Sequence, residues 1–153
     1  TRGAPSKYIK LKDIIQEAYQ ELSAKDSLVI TCNCKKKIKV DVKQFILVFK
    51  YILDNAIKYC NVETAKVIIS CETTTTGFLI NIKDNGPGIP DTLKEDLFLL
   101  FKTGAHKNSG LGLGLASVKK IIERHRGEVG YNFKTKVLQI KLPPELYQKQ
   151  QND

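Results

Sequence analysis

No stretch of these 153 residues approaches the run of about 18 apolar residues that a membrane-spanning helix needs. The opening TRGAPSKYIK also lacks the apolar segment of a secretory leader. Both absences point to a cytoplasmic domain, or the cytoplasmic piece of something larger, with no direct membrane contact. Whether a parent protein is anchored in a membrane stays open. Aromatics are missing where a nucleic-acid surface would want them: the dense basic run Lys35-Lys36-Lys37 has no aromatic neighbour and reads as the exposed tip of a turn. No nucleic-acid partner is expected. Cysteine is sparse, with Cys32, Cys34, Cys60 and Cys71. Cys32 and Cys34 form the close pair, and neither His106 nor His125 stands at zinc-ligand spacing from them. Reduced structural thiols in a reducing compartment are expected. There is no GxxxxGK[ST] phosphate loop, and Leu115 stands where a GxGxxG fingerprint would need its third glycine.

What is present describes one soluble domain. The composition is 42% apolar and 27% charged, and a chain of this length buries about 70% of its unfolded surface without a metal or disulfide staple. Lys and Arg exceed Asp and Glu by 25 to 16, a net charge of +9. Such a field favours an anionic partner, a nucleoside triphosphate or an acidic protein.

Hydrophobic periodicity predicts an amphipathic helix over 8–23 and a longer one over 42–60, with apolar positions at 42, 45, 46, 49, 52, 53, 56 and 57. Short strands are expected at 27–33 and 37–41 around the lysine turn, and a hairpin at 65–72 and 77–84. A short helix over 92–98, a glycine-rich loop over 102–111, a helix over 112–126 and a closing hairpin at 128–133 and 136–142 complete the domain. Residues 1–7 read as a leftover linker and 143–153 as a polar tail, leaving 8–142 as the domain. Helices alternating with antiparallel hairpins indicate an α+β fold, a two-layer sandwich with three helices on one face of a mixed, largely antiparallel sheet.

Four segments carry candidate chemistry. On the long helix, Asn55, Lys58 and Tyr59 line one edge at i, i+3 and i+4. Asn is a mediocre mid-helix residue, so Asn55 is either tolerated facing solvent or kept for its amide oxygen. Such an oxygen suits Mg²⁺, which keeps most of its shell as water and phosphate. Lys58 would then meet a phosphate as a point charge.

In Asp84-Asn85-Gly86-Pro87-Gly88-Ile89, strand alternation puts Asp84 on the face of Phe78, Ile80 and Ile82. A carboxylate on the apolar side needs a donor, which an adenine amine would supply. The alternative is a plain D-N-G hairpin turn, which requires a following strand. Gly86 and Gly88 would let the backbone approach a ring. In Gly110-Leu111-Gly112-Leu113-Gly114-Leu115, alternating glycines open a helix whose free amides attract phosphate. Phe98-Leu99-Leu100-Phe101 reads as core anchoring the following loop, from which Lys102 and Lys107 would reach a terminal phosphate.

Taken in order, these segments resemble the ATP-binding domain of two-component sensor histidine kinases, of the GHKL group that also holds gyrase-, MutL- and Hsp-type ATPases. LDNAIKY is similar to the N box, DNGPGIP to the G1 box, FLLF to the F box and GLGLGLASVKKI to the G2 box, across residues 45 to 127. The resemblance implies the Bergerat sandwich, with ATP between the long helix and a lid. It implies that Asn55 holds Mg²⁺, Lys58 touches phosphate and Tyr59 lies against the nucleotide. Asp84 would accept from the adenine amine, with Gly86, Gly88 and Ile89 bordering the ring. Lys107 and the run Gly110, Leu111, Gly112, Leu113, Gly114 and Leu115 would face the phosphates.

Three positions depart from the family pattern. Tyr51 replaces the Asn often found four residues before the magnesium ligand. The lid is short, spanning 102–109, and Arg126 replaces a common glycine as a variant helix cap. Hydrolysing relatives carry a Glu at the position of Tyr51 to activate water, so transfer is favoured over hydrolysis here. The acceptor motif H-E-[LIF]-[RK]-x-P is absent, and neither His106 nor His125 has its context. The resemblance therefore implies a catalytic half whose partners are its own dimerisation and phosphoacceptor domain and a response-regulator receiver domain. The alternative within the group is an anti-sigma serine kinase or a clamp ATPase.

Overall fold

The long helix organises the molecule. In α2 (Val42–Lys58), Phe45, Val48, Phe49, Ile52, Leu53 and Ala56 fall on one stripe and are buried. Each large side chain so buried contributes roughly 1.5–3 kcal/mol. Asp41 caps the helix by accepting from the Gln44 N–H at 3.1 Å. The structure is a computed structural model that describes residues 7–95 and 110–148, with side chains from Gly114 in the second segment. The FLLF segment, Lys102, His106, Lys107 and residues 149–153 lie outside the described residues.

Beside α2 lie α1 (Leu11–Gln20), which buries Leu11, Ile14, Ile15 and Ala18, and α3 (Gly110–Arg124). Under them runs a five-stranded sheet in the order β2-β4-β5-β7-β6, made of β2 (Leu28–Cys32), β4 (Ala65–Thr74), β5 (Gly77–Asp84), β6 (Glu128–Asn132) and β7 (Val137–Leu142). β2 runs parallel to β4 and every other pairing is antiparallel. Val67, Ile69, Phe78, Ile80, Ile82, Ile140 and Leu142 meet the helices from the sheet's inner face. The expected two-layer α+β sandwich, three helices over a mixed and largely antiparallel sheet, is the observed fold among the described residues.

Several boundaries differ, each for a physical reason. The first helix starts at Leu11 because Ile9–Lys10 (β1) pairs with Lys37–Ile38 (β3) in a separate two-stranded sheet. The strands flanking the lysine turn therefore belong to different sheets. β2 finds its partner in β4 instead, a non-local pairing invisible to local pattern. Over 91–95 the described structure is a 3₁₀ turn, Asp91–Leu93, in place of the start of an α-helix. α3 begins at Gly110, so Gly110 and Leu111 are helical and not loop.

Part of the expected polar tail is docked: Tyr147 is buried, stacks on Phe78 with ring centroids 5.3 Å apart, and bridges to Ile38. Arg126 does cap α3. It sits at φ 61°, and the Gly127 N–H reaches back to the Ile122 carbonyl at 2.9 Å.

The expectation of four reduced thiols is corrected. Cys34 and Cys71 are joined by a disulfide across 37 residues of sequence, while Cys32 and Cys60 are free. The segment leaving β2 stays against β4, with the Asn33 N–H bonded to the Ile69 carbonyl at 2.8 Å, and this brings the two half-cystines together.

At the opposite corner His125 ties two helices. Its Nε2 accepts from the Asp41 N–H at 3.0 Å, which leaves Nδ1–H to donate to the Ile121 carbonyl at 2.9 Å. Its ring stands edge-on to Phe45, with centroids 4.8 Å apart.

Candidate functional site

A cavity of about 480 Å³ opens where the end of α2, the start of α3, the segment after β5 and the β6–β7 hairpin converge. That volume suits a small-molecule ligand. Asn55, Lys58 and Tyr59 from α2 line it, together with Asp84, Gly88, Ile89 and Leu115. Seven residues singled out from sequence, scattered over 61 positions, thus meet around one hollow (115 − 55 + 1 = 61).

The helix end is placed by its stripe. Ile52 and Ala56 face inward, which turns Asn55 onto the cavity edge. Gly114 comes close here: a methyl added to it would stand 3.5 Å from both Asn55 Nδ2 and Tyr51. Lys58 pairs with Asp54 one turn back, at 3.1 Å, with both side chains about half exposed. Exposed pairs of this kind contribute about 0–1 kcal/mol, so an arriving phosphate can exchange for the carboxylate at little cost.

The segment after β5 is built differently. Asp84 continues the inner face of Ile80 and Ile82 to the cavity, and its Oδ1 accepts from the Gly86 N–H at 2.8 Å. Asn85 stitches the turn to β4. Its Oδ1 accepts from the Lys66 N–H at 2.9 Å and its Nδ2 donates to the Thr64 carbonyl at 3.1 Å. No strand follows directly, since residues 85–95 hold only the 3₁₀ turn at Asp91–Leu93, so the plain hairpin alternative is excluded.

Gly86 does not line the cavity. A methyl there would come within 3.0 Å of the Tyr59 carbonyl and 3.2 Å of Cys60 Cα, so its absence lets the turn pack on the end of α2. Gly88 has φ 79°, which an L side chain adopts only with strain. Gly110, Leu111, Gly112 and Leu113 supply the helical backbone opening α3.

Sequence reading missed Tyr131 and Lys136, which bring the last hairpin to the cavity. The Tyr131 hydroxyl accepts from the Ile89 N–H at 3.0 Å. Burial holds this hydroxyl above its ordinary pKa, opposed by the Ile89 N–H and reinforced by the charges of Asp84 and Asp91. A signal was available: alternation along Val129, Tyr131 and Phe133 puts an aromatic row on one face of β6, next to Leu115 and Ile89. Lys136, at φ 60° in the turn, lays its aliphatic stem over Gly88.

Residues 40–146 match the family model described as histidine kinase-, DNA gyrase B- and HSP90-like ATPase. The chain belongs to that family. Among relatives, it is 33% identical over 132 residues to the adaptive-response sensory kinase SasA of Synechocystis, a match covering 83% of this chain and 34% of that protein. It is 34% identical over 119 residues to the sensor protein kinase WalK of Staphylococcus aureus, covering 73% of this chain and 29% of that one. Among solved structures, the catalytic domain of histidine kinase ThkA superposes with a TM-score of 0.69 at 26% identity, covering 90% of this chain and 94% of that one.

The chain is thus a histidine-kinase-type ATP-binding domain, and it spans about a third or less of the length of these curated relatives. No helix among the described residues is long and apolar enough to cross a membrane.

Proposed function

We propose that the chain binds Mg-ATP in this cavity and presents the γ-phosphoryl group to a histidine on a separate dimerisation domain, from which a response-regulator receiver domain would take it. The observation that carries the reading is the set of polar groups that one cavity brings together. It gathers an amide and an exchangeable lysine from the end of α2 together with a carboxylate from the end of β5.

In this reading Asp84 accepts from the adenine amine, with Gly88 and Ile89 beside the ring and Tyr59 against the nucleotide, while Gly86 lets the turn that carries them pack on the end of α2. Lys58 leaves Asp54 for a phosphate. Lys107 and the amides opening α3, from Gly110 to Leu115, face the phosphate chain. Asn55 offers the metal one neutral amide oxygen. Among the described residues no group of three or more His, Cys, Asp or Glu is able to hold an ion. That donor set fits Mg²⁺ arriving on the triphosphate as part of the substrate, where it would neutralise phosphate charge.

Chemistry then rests on positioning and charge stabilisation. Tyr51 has no carboxylate with which to activate water, which favours transfer over the hydrolysis of clamp-type relatives. Cytoplasmic location belongs to the same reading, since ATP is the substrate. Calorimetric titration of the chain with millimolar Mg-ATP should give saturable heat, while γ-labelled ATP should leave the chain itself nearly unlabelled. Heat no greater than dilution would overturn nucleotide binding, and strong self-labelling would overturn the separate acceptor.

A further inference from the structure

Asp84 reads only half of what a purine offers. A carboxylate accepts from the amine, but the ring nitrogens are acceptors and call for a donor. Tyr131 stands at the same cavity with its hydroxyl fixed from behind. Its ring is edge-on to Phe133, with centroids 4.9 Å apart and planes at 84°, and packs with Ile89 and Leu138 against Leu115. Its oxygen accepts from the Ile89 N–H at 3.0 Å. A methyl on Gly88 would come within 2.6 Å of that oxygen, so the absence of a side chain there keeps the hydroxyl in place. Among the described residues no protein acceptor takes the hydroxyl's own hydrogen. Burial and the charges of Asp84 and Asp91 both keep that hydrogen on the oxygen.

We propose that Tyr131 is a second base-reading residue, whose hydroxyl accepts from the Ile89 N–H and donates to a ring nitrogen of the bound purine. The inference rests on the ATP reading of the cavity. It makes recognition two-sided: β5 ends in an acceptor, β6 carries a donor, and the glycine-bearing turn between them is held by the same hydroxyl. A base presenting a protonated ring nitrogen at that position would face a donor with a donor, which adds discrimination beyond the Asp84 contact.

The wild-type chain and Tyr131→Phe, each checked by thermal melting, are titrated with ATP, ADP, AMP and with 1-deaza-, 3-deaza- and 7-deaza-ATP. The variant should weaken ATP, ADP and AMP by a common factor of about ten, the effect of one hydrogen bond at the base. One deaza analogue should bind wild type about tenfold more weakly than ATP and bind the variant no worse than wild type. Unchanged ATP affinity in the variant would overturn the proposal. So would a loss that grows with phosphate number, or an equal loss for all three deaza analogues, which would mean that Tyr131 only holds the Ile89 turn. If the variant fails to fold, the wild-type series decides: one analogue standing apart sustains the proposal, and three binding like ATP end it. A wild-type chain that binds no nucleotide is a different outcome, which removes the ATP reading itself.

Discussion

The base-recognising and phosphate-holding ends proposed for the cavity are built by opposite means. Around Asp84 several hydrogen bonds tie the turn into the protein. Gly86 and Asp84 bond at 2.8 Å, Asn85 ties the turn to Lys66 and Thr64, and Tyr131 holds Ile89. At the Lys58 end the corresponding contact is a single exposed ion pair at 3.1 Å. The contrast teaches a division of labour. The wall proposed to recognise the base is fixed before any ligand arrives, so little ordering entropy is lost on binding. The end proposed to hold phosphate keeps its cation on a solvated contact that can be traded for another anion.

Perturbations of graded size test that contrast. The largest concerns neither end. Cys34→Ser should lower stability by about 2–4 kcal/mol, read by denaturant unfolding, because the cross-link closes a long loop in the unfolded chain. Nucleotide affinity should not change, and a parallel loss of affinity would mean that the β2 edge and the cavity are coupled. Next, Asp84→Asn should cost about 1.5–3 kcal/mol of binding, equally for ATP, ADP and AMP, by removing a charged acceptor from the fixed wall. A loss confined to ATP would place Asp84 at the wrong end. Smallest, Lys58→Ala should move stability by less than about 1 kcal/mol. It should weaken ATP more than AMP, by a margin that shrinks as salt is added. Equal weakening of both nucleotides would erase the distinction between the ends.

Much of this was legible in the residues. The stripe from Phe45 to Ala56 turned Asn55 to the cavity edge, and alternation through Ile80 and Ile82 delivered Asp84 there, because local periodicity decides which way a side chain faces. What sequence did not disclose is non-local. The split of β2 and β3 into separate sheets, the Cys34–Cys71 bridge and the docking of Tyr147 on Phe78 each depend on partners 27 or more residues away (37 − 10 = 27). For β2 every partner pair, such as Cys32 with Ile69, is 37 positions apart (69 − 32 = 37). For β3 the nearest pair is Lys10 with Lys37, 27 apart (37 − 10 = 27), so even this shortest pairing lies far outside a helical or hairpin window. Tyr131 and Lys136 were missed for the same reason. Their own segment reads as an ordinary hairpin, and only its neighbours make it a wall of the cavity.

His125 joins α3 near its last residues to the N–H just ahead of α2, while Gly114 and Asn55 face each other at the far ends of the same two helices. Between these points Val118, Ile121 and Ile122 share the buried core with α2. Some 11 residues separate Gly114 from His125 (125 − 114 = 11), so this arm of α3 is roughly 17 Å long at 1.5 Å per residue. Over that length a tilt of only about 3° would alter the gap between Gly114 and Asn55 by roughly 1 Å, the scale on which a phosphate oxygen is gripped or lost, so the packing that fixes the tilt also fixes the grip.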